Sequence, residues 1–151
     1  MGFIREIIRR PHPAIVHFPI ALFPLSFLFL VLYWLTASVA YLSASYWTFL
    51  VSAAIIIPTA ITGFIDMKRL QRLNSEAVKY LNKHLVNGIA ITLISVATGL
   101  LFLWQPPFHH PFLFTIYTID VAVLSILSMY QGYLGASMVY SHHLGIEGDT
   151  R

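Results

Sequence analysis

Cysteine is absent from this 151-residue chain, so disulfides, thiolate metal sites and iron–sulfur clusters are excluded, and thiols say nothing about redox compartment. Charge is nearly as scarce. Charged residues make up 10% of the chain and only six are acidic, against about 25% charged in ordinary soluble domains. With so few carboxylates there is no pair placed for general acid–base work. The chain also carries no activated-nucleophile motif, no phosphate loop, no internal repeat and no low-complexity tract. Hydrolytic chemistry therefore has little to stand on.

What is present is apolar. Hydrophobic residues account for 58% of the chain, and four nearly uncharged stretches run over residues 14–36, 46–66, 84–104 and 112–140. Each reaches the roughly 20 residues that cross a bilayer as a helix. Barrel strands would be about half that length and would alternate in polarity, whereas these runs are continuously apolar. The expected fold is all-α: a four-transmembrane-helix bundle forming a single integral membrane domain over residues 1–151. The first run exceeds the roughly 7–15 residues of a signal-peptide core, so it is expected to be retained.

The nine basic residues give the orientation. Arg5, Arg9 and Arg10 precede the first run, Lys68, Arg69, Arg72, Lys79 and Lys83 lie between the second and third, and Arg151 follows the fourth. Residues 37–45 and 105–111 hold none. The positive-inside rule then predicts both termini and the second connection in the cytoplasm, in a multi-pass protein of the inner cell membrane. Trp34, Tyr46, Trp47 and Trp104 mark an outer aromatic belt. The net charge of +3 reports topology and calls for no nucleic acid. Within residues 67–83, Leu70, Leu73, Ala77 and Leu81 recur at helical spacing among basic residues, which predicts a short amphipathic helix on the inner leaflet, or simply a linker.

Polar residues collect at the cytoplasmic level. His12, His17, His84, His142 and His143 map to the inner ends of helices one, three and four, Asp66 closes helix two, and Asn87 lies one turn inside His84. Small residues at three- and four-residue steps, such as Ser125, Ser128, Gly132 and Gly135, mark packing faces that end on these groups. A carboxylate at a helix C-terminus meets the negative end of the dipole, so Asp66 is expected to have a cationic partner, with His12, His142 or an arginine as candidates. Pro19 and Pro24 free the carbonyls of Ile15 and Ile20 and predict a kink beside His17.

Three readings of the polar level stay open. In the first, His17 and His84 are the axial ligands of haem b, His12, His142 and Asn87 support them, and Arg9, Arg10, Lys68, Arg69 or Lys83 meets the propionates. In the second, the same histidines with Asp66 hold zinc, iron or copper. His12 and His17 are five apart, however, and need a bent backbone to converge. In the third, the chain is a cofactor-free scaffold or assembly subunit, and the histidines form an inner latch. An electron-transfer or accessory subunit is favoured over a stand-alone enzyme, with the bilayer, a redox partner or larger membrane complex, and a second copy of the chain as candidate partners. Asp120, alone inside the fourth run, lies roughly 12 Å along the helix from Phe112. It is expected either to touch headgroups or to face the bundle, bonded to Tyr33, Ser95 or Thr98, where it could relay protons.

The stretch Pro11-His12-Pro13-Ala14-Ile15-Val16-His17-Phe18-Pro19-Ile20-Ala21-Leu22 resembles the opening of a bacterial and archaeal membrane family, domain of unknown function 2231. Thr62-Gly63-Phe64-Ile65-Asp66, His84-Leu85-Val86-Asn87, Gly132-Tyr133-Leu134-Gly135 and Val139-Tyr140-Ser141-His142 follow in order. The resemblance implies a four-helix membrane domain, found in some relatives beside redox modules such as Rieske domains. It implies no established activity. His143 stands where glycine is more usual.

Overall fold

A computed structural model describes residues 12–68 and 75–141. Among the described residues there is no strand, and four helices are long and apolar enough to cross a membrane. A short helix α1 (His12–Ile15) leads through Val16 into α2 (His17–Thr36), which together form the first span; α3 (Val39–Lys68), α4 (Ser75–Trp104) and α5 (Pro111–Tyr140) are the others. Each long helix packs on two neighbours: α2 on α3 and α5, and α4 on α3 and α5. The result is a four-cornered bundle. Its outer surface carries large apolar side chains such as Leu35, Leu93, Leu100, Ile126 and Met129, as a lipid-facing surface must.

Two helices begin earlier than the sequence suggests. Residues 39–45 are helical because Leu42 and Ser45 are buried in the bundle, so the expected loop at 37–45 shrinks to two residues. Ala37 makes the turn in the left-handed region (φ 53°), and its N–H closes α2 on Tyr33 O at 2.8 Å. Residues 75–83, expected in a separate surface helix or a linker, instead form the start of α4, with Ala77 turned into the protein and Glu76 favourably in the first turn. Residues 69–74 of that expected helix lie outside the described residues. Helices of 30 residues are about 45 Å long, against roughly 30 Å of hydrocarbon.

One ring from each helix meets at the centre. Phe23 of α2, Phe49 of α3, Phe102 of α4 and Tyr117 of α5 are each 0% exposed. They pack edge to face at centroid separations of 5.4 to 6.2 Å. Beside them the α2 and α3 backbones are bridged by paired serines: Ser26 donates to Ser45 O and Ser45 to Ser26 O, both at 2.8 Å. Tyr117, with Ser45's proton so committed, donates to Ser45 Oγ at 2.6 Å. Toward the tryptophan end, Tyr46 donates to Phe102 O at 2.9 Å and its ring packs on Phe108 of the last turn-like connection.

Asp120 lies one turn from Tyr117 and faces the bundle, only 7% exposed. Its Oδ2 has no hydrogen-bond partner, and the hydroxyl of Thr98, one of the expected partners, donates to Ile94 O at 2.8 Å. The headgroup alternative is thereby set aside. We expect Asp120→Asn to melt in detergent within about 0.5 kcal/mol of the wild type, and Asp120→Leu to lose about 1–3 kcal/mol through overpacking. Equal melts for all three chains would show that the carboxyl is not held in the bundle.

Candidate functional site

Proline chemistry prepares the other end. Pro19 has no N–H for Ile15 O and its ring crowds that carbonyl, and the helix duly breaks at Val16, where the Ile20 N–H to Val16 O contact stretches to 3.4 Å. The break leaves His12 against α3. Its Nδ1 is 3.0 Å from Thr59 O, and Thr62 Oγ1 lies 3.4 Å away. A carbonyl can only accept, so Nδ1 donates and Nε2 is left as the ring's acceptor. Gly63 makes the seat possible: a Cβ there would sit 2.8 Å from His12 Cε1. Asp66 lies half-buried one turn on from Gly63.

Across the bundle, α4 and α5 share an amide relay. Asn87 Nδ2 donates to Leu127 O at 3.0 Å and to Gln131 Oε1 at 2.7 Å, and Gln131 Nε2 donates to His84 O at 3.1 Å. Gln131 Nε2 also lies 3.0 Å from His84 Nε2. Gly88 gives the amide room, since a Cβ there would be 3.1 Å from Gln131 Nε2.

Between these two groups lies a cavity of about 400 Å³. Its walls are apolar residues of α2, α3 and α4, including Pro19, Ile56, Phe64, Leu85 and Ile89. Its polar lining is His12, Thr59, His84, Thr92, Ser128 and Gln131, and among the described residues it has no charged side chain. Two buried polar atoms of that lining have no partner: His84 Nδ1 and Ser128 Oγ.

The expected site residues divide. His12, His84 and Asn87 come together here, with Asp66 beside them. His17 does not: it is exposed on the outer surface, and His12 takes the inward position expected for it. The two lie on either side of the break at Val16, and only His12 lines the cavity. His142 and His143 lie outside the described residues, as do Arg9, Arg10 and Arg69 and the side chain of Lys68. Lys83 is exposed, over the Tyr80 ring at 5.7 Å. His109 and His110 are exposed at the tryptophan end. Gln131, Ser128, Thr59 and Thr62 were not among the expected site residues. Gln131 carried a usable signal, being a lone amide inside an apolar run and three residues from Ser128 on a packing face.

The donor set does not fit bis-histidine haem at His17 and His84. One imidazole points away from the cavity, and the Nε2 lone pair of the other is taken by Gln131. Among the described residues, no three histidines or carboxylates gather as metal ligands either. Gly63→Ala is expected to displace His12 and cost about 1–3 kcal/mol, read as a lower detergent melt, while Gly132→Ala, whose Cβ would meet Ile20 no closer than 3.4 Å, stays near the wild type. Equal melts for the two variants would mean that His12 is not seated on Gly63.

No curated relative and no solved structure matches the chain. The family described as "Predicted membrane protein (DUF2231)" matches residues 10–148, which takes in all four spans and both halves of the polar site. The chain belongs to that family of predicted membrane proteins.

Proposed function

We propose that this multi-pass membrane protein binds a small amphipathic molecule dissolved in the bilayer, with its polar head among His84, Ser128 and His12 and its apolar body toward lipid between α3 and α4. The carrying observation is a pair of unpartnered buried polar atoms, His84 Nδ1 and Ser128 Oγ, on residues lining one apolar cavity. Polar groups are costly to leave unmade in an apolar setting, and a site with apolar walls and a few convergent polar groups is the usual form of a small-molecule pocket. A volume of about 400 Å³ suits a headgroup with the start of a tail.

Protein purified in mild detergent is expected to release an apolar small molecule on solvent extraction, near one per chain by mass spectrometry, and to show no Soret band, oxidised or dithionite-reduced. Ala60→Trp, which fills the cavity from its lipid side, should lower the retained ligand at least tenfold without changing the melt. A Soret band that shifts on reduction would restore the haem reading.

We further propose that the histidine end faces the cytoplasm and that the membrane is the inner cell membrane, supported by the basic residues on that side. The chain has no cysteine, so single cysteines report cleanly. Gln105→Cys should react with an impermeant maleimide in intact cells and Asn74→Cys only after permeabilisation; the reverse pattern would invert the topology.

A further inference from the structure

The amide relay dictates which proton His84 carries. Asn87 Nδ2 faces Leu127 O at 3.0 Å, and because a carbonyl cannot donate, that atom must be the amide nitrogen. By the same logic Gln131 Nε2 is pinned by His84 O at 3.1 Å, with Gln131 Oε1 receiving the second hydrogen of Asn87 at 2.7 Å. Two backbone carbonyls thus fix both amides. Gln131 therefore turns an N–H toward His84 Nε2 at 3.0 Å, and that nitrogen can only accept. A neutral His84 ring is left with its hydrogen on Nδ1, the buried atom that has no partner.

Ser128 presents the second donor. Hydroxyls elsewhere in this bundle fold back onto the carbonyl one turn earlier, as Thr59 does to Ile55 O, Thr92 to Gly88 O and Ser125 to Val121 O, all at 2.8 Å. Ser128 is 1% exposed and makes no such bond, although Leu124 stands at the required spacing. Its hydrogen has no acceptor among the described residues, and the residue lines the cavity.

We propose that the cavity takes an uncharged lipophile whose head presents a carbonyl oxygen to His84 Nδ1–H and the Ser128 hydroxyl. This deepens the ligand-binding reading above and rests on it. A carbonyl oxygen accepts two hydrogens and brings none of its own, so it satisfies both donors at once. An alcohol accepting the same two hydrogens would need a further acceptor for its own. A carboxylate would enter an apolar cavity whose described lining carries no lysine or arginine to meet it. The same chemistry is found in prenylated quinones and in acyl esters.

The test uses the full chain in detergent micelles, with decyl-substituted benzoquinone, methyl laurate and dodecanol as probes in calorimetric titrations. One or both carbonyl probes should bind roughly tenfold tighter than dodecanol, the worth of one neutral hydrogen bond, and the tighter of the two names the source. Ser128→Ala should remove most of that preference while leaving dodecanol within about twofold. Selective ¹⁵N-histidine spectra of the unaltered protein should show His84 protonated at Nδ1 and bare at Nε2, and Gln131→Leu should abolish that signature. Equal affinity for all three probes, or a proton on Nε2 in the unaltered protein, would overturn the carbonyl assignment and leave ligand binding standing. Binding of none of the probes, by a protein that also retains no extractable molecule, would overturn both.

Discussion

Hydrocarbon offers no hydrogen bonds, and that constraint governs almost every polar group in the bundle. Helical backbone answers it for the main chain. For side chains the answer is local return or reciprocal pairing: threonines and serines bond the carbonyl of the preceding turn, and Ser26 and Ser45 each close on the other's backbone. The serine exchange holds α2 and α3 near each other at the level where four aromatic rings fill the centre. Tyr117, donating to Ser45, ties α5 to the same point. Under so strict a rule the exceptions stand out, and two of the three buried side-chain atoms without a partner among the described residues belong to residues lining a single cavity.

The two ends of the bundle are built differently. At the tryptophan end, rings and one Tyr46 bond close α3 on α4. At the histidine end, missing side-chain atoms do the work: Gly63 admits the His12 ring and Gly88 the Gln131 amide. A proline that cannot donate frees α1 to lean on α3. Space and polarity therefore come from the same substitutions of bulk by hydrogen, and the cavity is a consequence of how the polar groups are seated.

The spans, their number and the clustering of polar groups at one level were legible because lipid imposes length and apolarity directly on sequence. Asp120's inward direction was legible only as one of two alternatives, because an apolar run longer than the bilayer does not fix the depth of a residue within it. The ends of α3 and α4 could not be read, because Leu42, Ser45 and Ala77 are buried by neighbours far away in the chain, and a mixed polar stretch such as 39–45 looks like a loop until those neighbours are known. His17 looked as inward as His12 for a similar reason: which of the two faces the bundle depends on the backbone break at Val16. Gln131 was overlooked since attention went to charge and to small residues, although an uncharged amide is nearly as demanding in an apolar run.

The contact between Gly99 and Ala53, where a Cβ on the glycine would come within 3.1 Å of its neighbour, also acts as a fulcrum. On its tryptophan side, Tyr46 and Phe49 fasten α3 to Phe102. His84 is 15 residues farther along α4, about 22 Å from the fulcrum at 1.5 Å per residue. A tilt of about 5° there would move the far end by about 2 Å. Were α4 to pivot there, the sideways pressure of the surrounding lipid would reach the mouth of the cavity, and bilayer thickness and packing would become inputs to what the site holds.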